Sequence, residues 1–567
     1  MIISILKGIL LLLNLYSTFR IFGLHPMSLF SVGSLIVCVL LDRKAQTASK
    51  KAKTAGIVTG TLFSLFTVLA HYGNFRFSSF GASFFYILLF AAGLAYFFCL
   101  LMVCLYDAFD HIPADTTKRI SGGAVFLVSF SLIFCVWFLF FLAYYPGIFS
   151  PDSVWQLQQA MGDSPLSNHH PVIHTLLMRA ILKAGLAISG GNMMAATAVL
   201  SVLQMLFLAL CMAYSVSSAY HLGISLPFCL ISDLFFALVP FNILFSFTNL
   251  KDSWFAGFFL LLCSLLLRFF QDRDHTFKKT SHYILFATSC IGIGLFRSNG
   301  LFVLLALLPF LVFTFWKKKK LLLIFIACLV LCILVLGPVY RALDVTAVDP
   351  VEYLSVPLQQ VSRVIVDEGR ISDADYAMIS EVVNPAMIAS SYYARISDNI
   401  KNLIRTSGNQ DAIAENKMGY LLLWLRLLKD NPFSYINAYV DLTVGFWYPE
   451  QTGIPYVLTM EPNSYGLSTS SRLPSGLSSF LYSISHSNNQ QSFLGPLFSC
   501  GGYVWLFLML FIYSFTRKGK SWIAFLPSLF LWGTLLLTTP VYGDIRYIYA
   551  VVVSLPLLCS VLKAKTN

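Results

Sequence analysis

The chain has 567 residues, 57% of them hydrophobic and 11% charged, with a mean hydropathy of +0.75, which excludes a soluble globular fold of any class. Its formal charge of +12 sits in short basic clusters between apolar runs, the pattern of orientation signals rather than of a nucleic-acid-binding face, so no nucleic-acid partner is expected. Most of the 12 cysteines fall inside apolar runs, where cysteine acts as a small hydrophobe, and their spacing gives neither a disulfide framework nor a zinc site.

Apolar stretches of roughly 18 to 25 residues recur along the chain, the length a helix needs to cross about 30 Å of hydrocarbon. Strand-like alternation is absent, so the fold class is an all-α polytopic membrane protein. The first run, Ile2 to Phe22, lacks a small-residue cleavage site and leads straight into another apolar run, which reads as a retained span. Basic clusters mark the cytoplasmic side: Arg43, Lys44, Lys50, Lys51 and Lys53; Lys118 and Arg119; Arg273, Lys278 and Lys279; Lys317 to Lys320; Arg517, Lys518 and Lys520; Lys563 and Lys565. Spans near 2–22, 27–41, 56–72, 81–105 and 122–145 then leave Tyr144 to Pro171 outside the cytoplasm.

Four apolar stretches separate that loop from the next basic cluster, and four crossings would put the cluster on the wrong side. The stretch "HPVIHTLLMRAILKAG", His170 to Gly185, is amphipathic and carries Arg179 and Lys183, so it is expected to lie along the interface without crossing. Later spans near 193–219, 224–247, 253–270, 282–296, 300–316, 321–338, 502–516, 521–538 and 546–562 bring the total to about fourteen, with both termini cytoplasmic. The more polar segment from Tyr340 to Ser499 is expected outside, capping the bundle, with a helix over Asn416 to Lys429 and turns from Pro462 to Asn489. Within it, "GFWYPE", Gly445 to Glu450, reads as an aromatic belt at the interface.

Several polar motifs fall at the extracytoplasmic level under this topology. "PGIFSPDS" carries Asp152, and "NHHPVIHTLL" carries Asn168, His169, His170 and His174. "TNLKDSWF" places Lys251 and Asp252 at the head of one span, "FRSNGLF" places Arg297 and Asn299 in a tight turn, and "PVYGDIRYIY" places Asp544 and Arg546 before the last span. Singly each has a plain reading: Asp152 as the N-cap of the helix "SVWQLQQAMG", the others as anchors or caps. His170 and His174, four apart, suit a metal pair, a phosphate or acceptor contact, or packing. Ionisable groups at a membrane edge are costly, and their convergence on one face points to function.

Glycosyl transfer from a polyprenyl-phosphate sugar wants this mixture. A carboxylate takes the proton of the attacking hydroxyl, while arginine, lysine or histidine stabilises the departing lipid phosphate. The first four of these motifs, from PGIFSPDS to FRSNGLF, together resemble the GT-C superfamily of integral-membrane glycosyltransferases, and more closely a bacterial branch with a PG-x-x-S-x-D element followed by an HP-x-x-HT element. The resemblance covers roughly residues 122–340. It implies accessory spans over 1–121, a core over 122–339 with a catalytic outer loop 146–171 and an interfacial helix 172–188, an extracytoplasmic segment over 340–500, and added spans over 501–567.

Carried over by position, the resemblance makes Asp152 the general base, and Arg297, with Arg546 and Lys251, the donor-phosphate site. Asp252, His169, His170, His174 and Asn299 become an acceptor or accessory site. Some members use a divalent ion, magnesium or manganese, and others none; here Asp152, Asp252 and His170 would be the ligands, though the chain has no dense carboxylate cluster. The implied partners are a polyprenyl-phosphate sugar, a glycan or lipid acceptor and the bilayer, at a bacterial plasma membrane. A lipid-linked-oligosaccharide flippase or transporter, and a scaffold without activity, are the competing expectations; a flippase should carry charges at the midplane of its spans.

Overall fold

The computed structural model describes residues 2–23, 28–75, 79–112, 120–271, 276–449, 459–485, 495–517 and 519–563. Of the residues singled out above, Lys118, Arg119, Arg273, Glu450, Asn489, Lys518 and Lys565 lie outside this set. The described residues are overwhelmingly helical, and their only β pairings are isolated bridges. The chain is an all-α multi-pass membrane protein. Among the described residues nine helices are long and apolar enough to cross a bilayer, or ten when a bent pair counts as one.

In order, the first half runs α1 (Ile2–Phe22), α2 (Leu29–Thr47), α3 (Lys50–Ala70), α4 (Phe80–Asp110), α5 (Gly122–Ala143), α6 (Pro151–Met161), α7 (Val172–Ile188), α8 (Met193–His221), α9 (Leu226–Leu238), α10 (Pro240–Phe247), α11 (Lys251–Gln271), α12 (Thr280–Phe296), α13 (Ser298–Phe315), α14 (Lys319–Leu334) and α15 (Tyr340–Ala342). Short polar side chains start many of them: Ser49, Ser79, Ser121 and Asn192 each accept a hydrogen bond from a backbone N–H of the first turn. Between helices, small residues permit close approach. Gly56 and Gly60, four apart on α3, lie against the α4 backbone at Val103 and Cys99, where a Cβ has no room. Outward faces stay apolar, as at Leu127, Val128, Phe313 and Leu323, which suits a lipid surround.

The stretch expected as one span near 224–247 is instead two helices, α9 and α10, bent by 59°. Pro240 is the cause: it has no N–H to give the preceding turn, and it holds Val239 extended, at φ −69° and ψ 125°. Helix α7 has 17 residues, and its Arg179 is not a surface charge. Its guanidinium donates to the carbonyls of Gln159 and Ala160 (2.7 and 3.1 Å), closing the C-terminal end of α6.

The segment after α15 forms a cap of short helices with its own core of Val351, Val364, Ile400, Leu423 and Leu427. It comprises α16 (Ser355–Val366), α17 (Asp373–Val382), α18 (Pro385–Ser391), α19 (Asp398–Ser407), α20 (Gln410–Glu415), α21 (Lys417–Asp430) and α22 (Pro432–Thr443), and later α23 (Ser475–Ser485). The helix expected over 416–429 is α21, whereas α23 replaces part of the turns expected over 462–489. The stretch 445–448 is no aromatic belt. Phe446 and Trp447 are buried, and their carbonyls accept from the indoles of Trp532 and Trp505 (both 2.8 Å). The chain ends with α24 (Cys500–Thr516), α25 (Leu526–Thr538) and α26 (Ile545–Leu558).

The long helix α11 fixes the two ends of the bundle. Lys251 and Asp252 open it; about 30 Å away at 1.5 Å per residue, its Phe269 and Phe270 line a hollow with Lys317, Lys318 and Lys520. The cap sits at the Lys251 end, where Asn168 N–H donates to the Thr346 carbonyl and Tyr542 N–H to the Arg395 carbonyl (both 2.9 Å).

A candidate site where four helices begin

The loop from Tyr144 to Ser150 is pinned before any site residue is placed. Ile148 N–H donates to the Phe247 carbonyl (3.1 Å) and its own carbonyl accepts from Asn249 N–H (2.9 Å). Gly147 turns the chain at φ +107°, and a Cβ there would lie 2.9 Å from the Phe247 carbonyl oxygen, so only glycine fits. Behind the loop, the α8 side chain Gln204 donates to the carbonyls of Phe245, Ser246 and Thr248 (3.1, 3.1 and 2.6 Å), the orphan acceptors that end α10.

Asp152 is not the N-cap of α6. Ser150 takes that position in a reciprocal pair with Ser153, and Pro151 fills the first helical place. The Asp152 carboxylate, free of capping duty in the first turn, is 3.0 Å from an Arg546 terminal nitrogen and 3.6 Å from Lys251 Nζ. Burial works against its ionisation, but Lys251 and Arg546 outweigh it and hold the carboxyl well below the usual range. Lys251 also donates to Nδ1 of His170 (2.8 Å), which makes His170 a neutral acceptor. Burial and the Lys251 charge both push the His170 pKa down, in agreement.

A second pair lies behind the first. Arg297, the N-cap residue of α13, binds Asp252 in the first turn of α11, and its guanidinium also meets the Arg546 carbonyl (3.4 Å) and the Tyr547 ring (5.2 Å). These side chains are 8% and 3% exposed, whereas Asp152 keeps 30% and Arg546 23%, so the front pair is reachable and the rear pair closed. Asp544 caps α26 by accepting from Arg546 N–H (2.8 Å), and burial raises its carboxyl. Asp252 Oδ2 and Arg546 Nε have no hydrogen-bond partner among the described residues.

Three cations and three carboxylates thus meet at the N-termini of α6, α11, α13 and α26. The side-chain charges cancel, the histidine is neutral, and the four helix dipoles leave the site with a positive potential suited to an anion.

The remaining candidates bond elsewhere, although the His169 ring packs edge-on against that of His170 (4.8 Å). His169 faces Glu352 (3.7 Å), which is held by Lys401 (3.0 Å) and by Arg405, itself bound to Asp349 (2.9 Å). His170 and His174 do not share a helix face, because Pro171 delays α7 to Val172. His174 is buried, bonded through Nδ1 to Gln156 (3.0 Å), and burial pushes it down to about 3. Asn299 ties α13 to α25 through Thr534 (2.9 Å). Asp152, Asp252 and His170 do not fit a metal, since each already faces a cation, and among the described residues no three His, Cys, Asp or Glu side chains are placed to hold a metal ion together.

Sequence reading missed the Glu352, Lys401 and Arg405 group and the phenol of Tyr547, which accepts from Arg546 (3.2 Å). For Tyr547 the signal was present, one residue after a chosen arginine. For the cap no signal existed, since Glu352 lies far along the chain from His169.

The comparison with curated proteins and the comparison with solved structures each return no match. A match to a family of unknown function, DUF6020, runs over residues 160–566 and takes in every site residue above except Asp152, and the chain belongs to that family.

Proposed function

We propose that the protein is a GT-C-type membrane glycosyltransferase that moves a sugar from a polyprenyl-phosphate donor to a cell-surface polymer, lipid or other acceptor on the extracytoplasmic side of a bacterial plasma membrane. The observation that carries this reading is the front pair: a reachable, ionised carboxylate in direct contact with two cations, where four helices begin at one end of an apolar bundle. The fourteen spans of this reading are the ten described above, with the bent pair counted once, together with α1, α2 and the two shorter apolar helices, and the basic clusters support cytoplasmic termini.

In the reaction the acceptor hydroxyl attacks the anomeric carbon, the bond from that carbon to the phosphate oxygen breaks, and the hydroxyl proton passes to Asp152. The electron pair leaves with the lipid phosphate, whose charge Lys251 and Arg546 receive. A phosphate that draws these cations away also restores basicity to Asp152, whose carboxyl they otherwise hold down. Arg297, closed behind Asp252, holds the Arg546 backbone in place and touches the donor only through it.

The test is transfer by purified protein from polyprenyl-phosphate sugars, comparing wild type with Asp152→Asn. Transfer should fall by about 10²-fold or more with normal folding. Undiminished transfer removes Asp152 as the base. A flippase reading has one observation in its favour: Asp233, a buried carboxylate inside α9 bonded to Ser129 (3.0 Å), next to the break at Pro240. Lipid translocation without transfer would select it.

A further inference from the structure

We propose that the cap helix α21 lies in the plane of the membrane surface, with Met418, Leu421, Leu422 and Leu425 seated among the acyl chains of the leaflet at the site end. This inference does not rest on the glycosyltransferase reading. The four side chains are 65%, 48%, 47% and 44% exposed and follow the i, i+3, i+4, i+7 spacing of a single helix face. Contiguous large apolar side chains along one helix face mark a contact surface, whereas scattered single ones do not.

The stripe cannot turn inward. Leu423 and Leu427 on the opposite face are buried in the cap core, Trp424 donates to Gln360 (2.9 Å), and the Tyr420 hydroxyl donates to the Met378 carbonyl (3.1 Å). Lys417, Arg426 and Lys429 border it, the basic rim of a helix that rests on anionic headgroups; Arg426 is itself bonded to Asp375.

The occupant follows from where α21 ends. Leu428, and Phe433 and Ile436 on α22, wall an apolar groove of about 500 Å³ whose other wall is Leu69 of α3 with Phe84 and Ile87 of α4. That is the level at which one membrane-spanning helix stops and the next starts, and Phe84, Phe85 and Leu88 beside it are 55%, 61% and 47% exposed, as lipid-facing residues are. The α21 stripe therefore continues an apolar belt already present on the spans, so the bilayer rather than a soluble partner fits it.

The experiment places p-benzoylphenylalanine at Leu422 of the full chain, and separately at the exposed Asp411 of α20, in nanodiscs of phosphatidylglycerol and phosphatidylcholine. After irradiation, the lipid adduct at position 422 should exceed that at 411 by at least ten-fold. Equal adduct at the two positions, or an adduct at 422 to a second copy of the chain in place of lipid, overturns the proposal. Because Leu422 is exposed, the substitution leaves the fold intact, and a matched thermal melt of the two variants verifies this.

Discussion

The two ends of the bundle are both rich in charge and differ in how they hold it. At the far end Lys278 and Lys317 to Lys320 line one open hollow, and Lys317, Lys318 and Lys520 another; Lys320 and Lys520 rest over the rings of Tyr283 and Phe313 rather than on carboxylates. At the near end Lys251, Arg297 and Arg546 each meet a carboxylate, and the rear pair is almost sealed from solvent. Charge of one sign in water orients a membrane protein and costs little. Opposite charges held out of water are expensive unless fixed in place; the far end has one such pair in Arg517 with Asp110, 10% and 25% exposed, but the near end gathers three cations and three carboxylates and buries its rear pair to 8% and 3%.

The contrast can be broken in order of expected effect. Asp152→Asn has the largest, a loss of transfer of about 10²-fold or more, with α6 still formed because Ser150 caps it. Next is Arg297→Met, which strands Asp252 as a buried charge and should cost about 3–5 kcal/mol in denaturant unfolding. The double variant Arg297→Met with Asp252→Leu should recover much of that; if it is no more stable than the single variant, the pair is not the cause.

The pH response comes third. His170 and His174 are held neutral in the folded state, while the unfolded chain takes up protons near pH 6.5. Stability is then full above that pH and falls as pH drops through it, by about 1.4 kcal/mol per unit per histidine, down to about 3 for His174. A melting temperature flat between pH 7 and 5 would contradict this. Smallest is Lys319→Gln or Lys320→Gln at the far end, within about 0.5 kcal/mol of wild type and without effect on transfer. A large loss there would erase the distinction between the ends.

Much of the architecture was legible because the bilayer allows so few solutions: an apolar run near twenty residues long is a helix wherever it packs. The exceptions carried local signals. Pro240 announces the α9 to α10 break, Pro171 keeps His170 off α7, and Ser150 before Pro151 is a better cap than Asp152. What no local signal carries is pairing. Arg297 and Asp252 were each chosen for a ligand, and the fold gives them to each other across 45 residues. The Asp152 to Arg546 contact spans 394 residues, so only the folded bundle could reveal it.

Gln204 has a mechanical consequence. One amide clamps three carbonyls at the end of α10, and α10 in turn carries the turn before Asp152, so α8, α10 and that turn must move as a single block. The cap meets the chain ahead of Asp544 differently, through two backbone hydrogen bonds, Ser397 N–H to the Pro540 carbonyl and Tyr542 N–H to the Arg395 carbonyl. Through Gln204 and α10, the turn that presents the carboxylate is held to a membrane span.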